Sequence, residues 1–402
     1  MEAKWFTSID ELSEIEWNNI FNNETLKSYA IFKAVEYSKM DDVRHYYLKI
    51  ASDTATLAII PCFSYKLDLC VLLDSKTQRK INNIRKFRKS FLFLNIFGVG
   101  SLIATCEQHF GFSSEISDEQ FVELKQLVNK EIKKKIKETK DSIVFVKEVP
   151  ANKLNHIKTI LDSDFVFYYS LPNTFVPIGN EFQTYPKALV HRSQKRYTKF
   201  VDKFNELGLR WEIHKDFSDL TDTMFKLYLN VYHRSKNKFD KLNPDFFKEV
   251  NKLLHDNSYI VLSRMPSNEI ASMMLIIEEK DELVPLYLGL NYDLPDYKTV
   301  YFNTLFKTIS EAERKNKNVC VLGQTSYYPK ILSGTVMQSL FLGFYSHKTI
   351  IKWCIKYLFK YLFPDTKPPC DYRYKNKKDL ESWIKANGLL VEIQKKFYED
   401  VA

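Results

Sequence analysis

Glycine is scarce in this chain, with only 10 among 402 residues. Loops that cradle phosphate on their backbone need several glycines close together, and no such cluster is present, so glycine-rich nucleotide-binding loops are disfavoured. Cysteine provides no scaffold either. The six cysteines, Cys62, Cys70, Cys106, Cys320, Cys354 and Cys370, stand singly, with no CxxC pair and no histidine at ligand spacing. That pattern argues against a zinc site or a disulfide framework and for free thiols in a reducing compartment. The opening MEAKWFTSIDELSEIEW lacks the basic flank and apolar run of an export signal, so a cytoplasmic location is expected. The longest apolar stretch, Phe91 to Cys106, is interrupted by Asn95, Gly98 and Gly100. It falls short of the roughly 18 uninterrupted apolar residues that a membrane span requires.

Apolar and aromatic mass is plentiful. Hydrophobic residues make up 45 % and aromatics 15 %, against 27 % charged, a balance that excludes disordered and low-complexity classes. The length predicts two domains of about 200 residues each. Lysine and arginine outnumber aspartate and glutamate by 59 to 50, a net charge of +9. This excess favours anionic partners such as nucleotides, CoA, tRNA or a lipid surface without choosing among them.

Along the first half, the patterning predicts helical segments between Ile15 and Lys39 and an antiparallel hairpin from His45–Ile50 and Thr56–Pro61. A basic loop, Lys76 to Lys89, and a strand from Ser90 to Phe97 follow. Phe121, Leu124, Val128, Ile132 and Ile136 recur every three or four residues, giving a helix with one apolar stripe and the lysines of EIKKKIKETK facing water. Strands Ser142–Lys147 and Phe165–Ser170 flank a short helix near Asn152–Leu161. The second half repeats this grammar. Gly208–His214 reads as a strand, Asp219–Val231 and Pro244–His255 as helices, and Tyr259–Arg264, Ala271–Glu279 and Leu283–Leu290 as successive strands. A helix over Val300–Lys315 leads to strands Asn318–Gly323 and Gln338–Tyr345.

Between the halves, Asn180 to Leu207 predicts a strongly basic helix. Lys187, His191, Lys195, Lys199 and Lys203 lie along one face with Arg192 and Arg196 beside it, either a solvated interdomain face or a rail for phosphates. Ile350 to Phe363, with Lys352, Lys356 and Lys360 at four-residue intervals among bulky apolar residues, reads as a helix docked on the core in preference to one lying on a membrane surface. The segment 364–378 reads as a basic linker to a last helix, Asp379–Asp400.

Several segments stand in the order found in tandem GNAT-fold acyltransferases. The second half resembles the FemAB-like, N-acyltransferase branch through HRSQKRYTKFVDKF, GLRWEIHKD, LYLNVYHRSKNKFDKLNPDFFKEV, IASMMLIIEEKDELVPLYLGLN, VYFNTLFKTISEAERKN and VCVLGQTSYYPKILSGTVMQSLFLGFYSHK. The first half looks like the same family's opening through EIEWNNIF, SYAIFKAVEY, YYLKI and TLAIIPCFSYK. The resemblance implies an α/β (α+β) chain of two GNAT-like domains, each a mixed, mostly antiparallel sheet flanked by helices. Their expected extents are 1–175 and 176–363, the second carrying the main site, with a basic linker and C-terminal helix over 364–402. It also implies a sheet that splays open beside a central strand to hold the donor.

The implied activity is N-acyl transfer from acyl-CoA or an acyl carrier protein to an amine of a small molecule or peptide, by direct attack in a ternary complex and without a metal. In GNAT enzymes a glycine-bearing loop binds the pyrophosphate of CoA at a helix N-terminus. Here the corresponding NYDLPDYKTV has no glycine, a departure similar to the FemABX members that use aminoacyl-tRNA. Aminoacyl-tRNA is therefore the alternative donor, and a non-catalytic binding module is the second alternative. Peripheral membrane contact is compatible with both charge and sequence.

No GxSxG elbow and no cysteine with a local histidine motif is present, which favours direct attack over an acyl-enzyme. The chemistry then needs a proton route and donors for the developing oxyanion. GQTSYYPK follows a predicted central strand, where such folds place their sites. Tyr327 or Tyr328 would protonate the leaving group, as the family implies; Gln324 and Ser326 would orient substrate and Lys330 would pair with an anion. In the loop after the second helix of that half, His233 is a candidate proton acceptor, and Arg234 and Lys238 are candidates for binding carboxylate or phosphate. Tyr287 and Asn291 are further binding candidates. Thr299, Tyr301 and Asn303 mark a helix N-terminus suited to an anion, with Lys195 and Lys199 on the basic rail as additional donor contacts.

Overall fold

The computed structural model describes residues 1–68, 75–88, 91, 93–179, 184–235, 241–362 and 373–386. Its strands are β1 (Glu2–Phe6), β2 (Arg44–Ala51), β3 (Thr56–Asp68), β4 (Phe93–Val99), β5 (Gly111–Phe112), β6 (Ile143–Pro150), β7 (Val166–Tyr169) and β8 (Asn173–Pro177). After these come β9 (Arg210–His214), β10 (Ser258–Arg264), β11 (Ile270–Glu278), β12 (Glu282–Leu290), β13 (Val319–Val321), β14 (Val336–Gln338) and β15 (Leu340–Tyr345). The first-half helices are α1 (Glu14–Ile20), α2 (Tyr29–Tyr37), α3 (Ser75–Arg85), α4 (Asp118–Glu138) and α5 (Leu154–Ile160). Later in the chain lie α6 (His191–Glu206), α7 (Thr221–Arg234), α8 (Pro244–Leu253), α9 (Tyr297–Arg314), α10 (Tyr327–Leu332), α11 (Thr349–Tyr357), α12 (Phe359–Leu362) and α13 (Lys377–Ala386).

These elements form two mixed, mostly antiparallel sheets flanked by helices. The first runs β1-β2-β3-β4-β6-β15-β7, with β5 added to β3, and the second runs β14-β8-β13-β12-β11-β10-β9. Among the described residues, only β4 and β6 pair in parallel in the first sheet, and only β12 and β13 in the second. The sheets exchange strands. β15 comes from late in the chain yet lies between β6 and β7, while β8 joins the second sheet between β13 and β14. The expected line between residues 175 and 176 therefore runs through β8.

Local sequence explains the helices. Ser117 and Gln120 form a reciprocal capping box at the start of α4, whose Leu124, Val128, Ile132 and Ile136 are all buried against the first sheet. Asn243 caps the Phe246 amide and Pro244 opens α8. The Asn243 side-chain amide also donates to the Ser38 carbonyl, beyond the end of α2. That bond, with the packing of α2 on α8, joins Trp17, Ile31 and Phe32 of the first half to Phe246, Phe247 and Val250 of the second in one hydrophobic core.

Several expectations are corrected. The predicted strand Gln338–Tyr345 is two strands, β14 and β15, that enter different sheets. The basic loop at Lys76 includes helix α3, and the basic helix starts at His191, so Lys187 precedes it. The docked helix expected over Ile350–Phe363 is broken at Leu358 into α11 and α12, and most of α11 is exposed. Among its residues only Ile355 is fully buried, because the sheet beneath accommodates one narrow side of the helix. Of the last predicted helix, α13 covers Lys377–Ala386, and the remainder lies outside the described residues, as does most of the linker. No helix among the described residues is long and apolar enough to cross a membrane. Cys62, Cys106, Cys320 and Cys354 are free thiols; Cys70 and Cys370 lie outside the described residues.

Candidate active site

The second sheet parts at its parallel pair. Only Glu282↔Val319 and Leu283↔Cys320 are in register, after which β13 ends at Val321 while β12 continues to Leu290. A bulge lies just past this point, where Leu275 and Ile276 oppose Tyr287 and Pro285 and leave Leu286 unmatched. Such an extra residue bends its strand and sharpens its twist. This separation of the two strands is the notch, and its two lips are the turn after β13 and the segment from the end of β12 into α9.

The first lip is strained and heavily pinned. Gly323, Thr325 and Ser326 all have left-handed backbone, with φ of 71°, 64° and 49°. For a β-branched residue such as Thr325 this is a costly conformation that persists only when its surroundings enforce it, and such positions concentrate at functional sites. The enforcement is visible. Gln324 Nε2 donates to the Leu171 carbonyl at 2.7 Å and the Tyr327 hydroxyl to the Pro172 carbonyl at 2.9 Å. The Thr174 hydroxyl donates to the Gly323 carbonyl at 2.6 Å, and Lys330 Nζ donates to the Gly323 and Gln324 carbonyls at 3.0 and 2.7 Å. Lys330 is buried, and burial pushes its pKa down to about 7. Burial raises the Tyr327 phenol. Gln324, Tyr327 and Lys330 thus hold the turn in place, while Ser326 and Tyr328 are exposed at its tip.

The second lip is built on α9. Its buried face carries hydroxyls: Thr304 bonds Ser272, which bonds Ser263, each at 2.7 Å, tying the helix across β11 to β10. Asn303 Nδ2 donates to the Phe200 and Thr299 carbonyls, fastening α9 to α6. The amides of Thr299 and Val300 donate to the Asp296 carbonyl and that of Tyr297 to Leu294. The free helix-entry amides expected near Thr299 are therefore largely committed to the preceding loop. Tyr301 faces the opposite lip, close enough to Ser326 for that hydroxyl to counter the rise in pKa that burial imposes on the phenol. Asn291 is buried, its side chain donating to Glu269 at 2.8 Å and accepting from the Asp293 amide. Tyr287 packs edge-on against Tyr228 of α7 and Phe246 of α8.

Arg234, at the C-terminus of α7, lies over Tyr292 at 3.8 Å and near Tyr297 at 5.6 Å, closing the outer side of this lip with a cation–π stack. Asn230 on the same helix donates to the Leu290 carbonyl, holding α7 to the end of β12. His233 is exposed, with its ring against Tyr232. Lys238 lies outside the described residues. Along α6, Tyr197 and Phe200 pack on Phe306 and Phe302 of α9, leaving Arg192, Lys195 and Lys199 on the outer side. The geometry thus brings Ser326 and Tyr301 together across the two lips, leaves Tyr328 exposed two residues further on, and stacks Arg234 on Tyr292 of the second lip, with the lysines of α6 facing outward. No group of three metal-ligating side chains occurs among the described residues.

Thr174, Thr325, Tyr292 and Tyr297 had escaped sequence reasoning. The run YDLPDY signalled a turn with aromatic ends; the role of Thr174 depends on a partner about 150 residues away and leaves no local signal.

No protein-family model matches the chain and no curated protein matches it in sequence. Among solved structures it is similar to FemX, at 10 % identity and a TM-score of 0.54, over 89 % of this chain and 100 % of that one. It is also similar to a C-terminal DUF2156 domain assigned to a lysylphosphatidylglycerol synthetase of Agrobacterium fabrum, at 10 % identity and a TM-score of 0.52, over 90 % and 99 % of the two chains. The chain has the FemAB-like, GNAT-type fold. At such identities the likeness shows the fold alone, and the chemistry must be argued from the residues of the notch itself.

Proposed function

We propose that the protein is a cytoplasmic N-acyltransferase. It moves an acyl group from a thioester donor, acyl-CoA or an acyl carrier protein, to the amine of a small molecule or peptide. The observation that carries this reading is the separation of β12 from β13, which opens a slot where an extended donor arm can pair with strand backbone and deliver its carbonyl to the Gly323–Ser326 turn. The amine attacks uncharged, a C–N bond forms, and the C–S bond breaks as the intermediate collapses. The proton shed by nitrogen passes through the hydroxyls of Ser326 or Tyr328 to the leaving thiolate. Lys330, Gln324 and Tyr327 act as positioning residues through the hydrogen bonds that hold the turn. His233 serves as an outer proton acceptor, with Arg234 and Lys238 recognising an anionic group on the acceptor. The first half contributes the Leu171 and Pro172 carbonyls and the Thr174 hydroxyl that brace the turn.

Aminoacyl-tRNA is the second donor reading, favoured by a specific observation. The amides at the start of α9 are spent on their own loop, leaving little backbone for a pyrophosphate, whereas Arg192, Lys195 and Lys199 line the outside of α6. The test is a donor screen with the purified full chain, following thiol release from acyl-CoAs and deacylation of charged tRNA in the presence of an amine pool. Tyr328→Phe and Ser326→Ala should slow whichever reaction occurs. Lys195→Glu with Lys199→Glu should abolish tRNA use and spare free acyl-CoA use. Consumption of neither donor class would overturn both readings and leave a binding module.

A further inference from the structure

Two surface segments outside the notch share an unusual character. On α11 the inner side, Ile351 and Ile355 with Phe359 just beyond, packs on Leu342, Phe344 and Tyr168 of the first sheet. The Tyr168 hydroxyl bonds the Ile355 carbonyl, and Lys352 pairs with Asp164 at 2.8 Å, so the helix is firmly seated. Its outer side nevertheless presents Ile350 at 78 %, Trp353 at 55 % and Tyr357 at 45 % exposure, with Leu358 at 42 % just past its end. Positions 350, 353 and 357 fall on one helical stripe. The Trp353 and Tyr357 rings lie tilted against each other at 5.5 Å, and Lys356 lies over the Tyr357 ring.

The second segment is α3 and the turn after it, where Phe87 is 94 % and Ile84 44 % exposed. Both segments border the same end of the first sheet. β4 and β6 begin there and β15 ends there opposite Val144; the cluster beneath α11 reaches Leu94 on one face of β4, while Arg85 of α3 lies over Phe93 on the other, so the two segments flank this end from opposite faces. Neither carries a negative charge. From Ser75 to Phe91 and from Ser346 to Phe363 the sequence holds lysine and arginine but no aspartate or glutamate.

We infer that this end of the first sheet docks on the surface of an anionic phospholipid bilayer, with Trp353, Ile350 and Phe87 entering the headgroup boundary and the surrounding lysines meeting lipid phosphates. Exposed aromatic and aliphatic side chains ringed by cations are the features of an interfacial helix. Charge selects this occupant: a second copy of the chain would bring together two surfaces in which lysine and arginine are in excess and the adjoining Asp164 and Asp68 are already paired with Lys352 and Arg85. A nucleic acid would use the cations and the rings but would leave Ile350, Leu358 and Ile84 without an apolar partner.

The experiment is vesicle co-sedimentation of the full-length protein. Vesicles with about 30 % phosphatidylglycerol in phosphatidylcholine should bind it at least about tenfold better than pure phosphatidylcholine, since each lysine near an anionic surface contributes. Raising salt from about 0.1 to 0.5 M should weaken binding by screening. Brominated lipid should quench wild-type fluorescence, and Trp353→Phe should remove that quenching while leaving binding nearly intact. Ile350→Ser with Trp353→Ser should cost at least about tenfold in partitioning, and Phe87→Ser should lower it independently, because affinity scales with apolar area inserted. These side chains are exposed, and far-ultraviolet circular dichroism checks that the variants remain folded. Equal binding to neutral vesicles, unchanged binding of the variants, or quenching that survives Trp353→Phe would overturn the inference. So would failure to bind vesicles alongside self-association or tRNA binding that the same variants abolish.

Discussion

Replacing Lys330 with methionine tests how the turn at the first lip is held. Met fills the space of the aliphatic stem but removes the ammonium and its bonds to the Gly323 and Gln324 carbonyls. Burial lowers the lysine from 10.5 to about 7. Between these values the unfolded chain binds a proton that the folded chain does not, so folding stability rises with pH across this window and is flat on either side. The slope is about 1.4 kcal/mol per pH unit, so raising the pH from about 7 to about 9.5 should stabilise wild type relative to Lys330→Met by roughly 3 kcal/mol. Near neutral pH the desolvation cost in wild type and the loss of two charge-assisted hydrogen bonds in the variant oppose each other, leaving a difference within about 2 kcal/mol. Urea unfolding at several pH values, read by tryptophan fluorescence and extrapolated linearly, measures the difference directly. Titration of the other groups is shared by both proteins and cancels. A stability difference that does not change with pH would refute the reasoning, because it would mean that the two carbonyls keep the folded lysine fully charged throughout the range.

Three further outcomes are expected. Glu282 is pushed up to about 7 by burial beside Glu107, Glu279 and Glu24, with Lys27 acting the other way. Its raised pKa makes folding stability fall as pH rises from about 4.5 to 7, so Glu282→Gln should match wild type at about pH 4.5 and exceed it by roughly 1–3 kcal/mol at about pH 8; equal urea midpoints at the higher pH would exclude this. Thr325→Gly should raise stability by roughly 0.5–1 kcal/mol by releasing left-handed strain while slowing the proposed acyl transfer through a looser turn, with denaturant midpoint and turnover measured on the same preparation. A Cβ on Gly289 would lie 2.7 Å from Leu227 Cβ and 3.0 Å from its backbone carbon, so Gly289→Ala should cost about 1–3 kcal/mol and displace α7 with Arg234, visible as a lower melting temperature.

The elements that could be read in sequence are those whose signal is local. The period of Leu124, Val128, Ile132 and Ile136 defines α4, and alternation with a polar turn defines the β11–β12 hairpin. What could not be read depends on distant partners. Thr174, Phe175 and Val176 fall between the strand Phe165–Ser170 and the joining segment from Asn180, with no element assigned to them, because nothing in the stretch announces that β13 and β14 lie on either side of it. β15 reads as an ordinary strand of the second half; its pairing with β6 and β7 is fixed by the chain's path and not by its own composition. At the site, GQTSYYPK stood out by its position after a strand. The direction taken by each side chain was set by carbonyls more than 150 residues earlier, and these turned Gln324 and Tyr327 into braces and left Tyr328 outside. For α11 the period was legible, but which apolar side would meet the sheet was not.

The strand exchange bears directly on what the notch can do. A parallel pair that separates after two registers leaves β13 dependent on its other neighbour, and that neighbour is β8, which precedes α6 in the chain. The residues just before β8, Leu171 and Pro172, supply the acceptors that brace the turn after β13, so one lip of the notch is positioned by the end of the first half and the other by α7 and α9 of the second. Because β15 returns to close the first sheet, a motion that opened the notch by moving β8 would also be transmitted through Asn173–Gln338 pairing to the short link between β14 and β15, and from there to β6 and β7. The splay is consequently a preformed feature held from both sheets, which suits the proposed transfer, in which two substrates must be aligned before any bond is made.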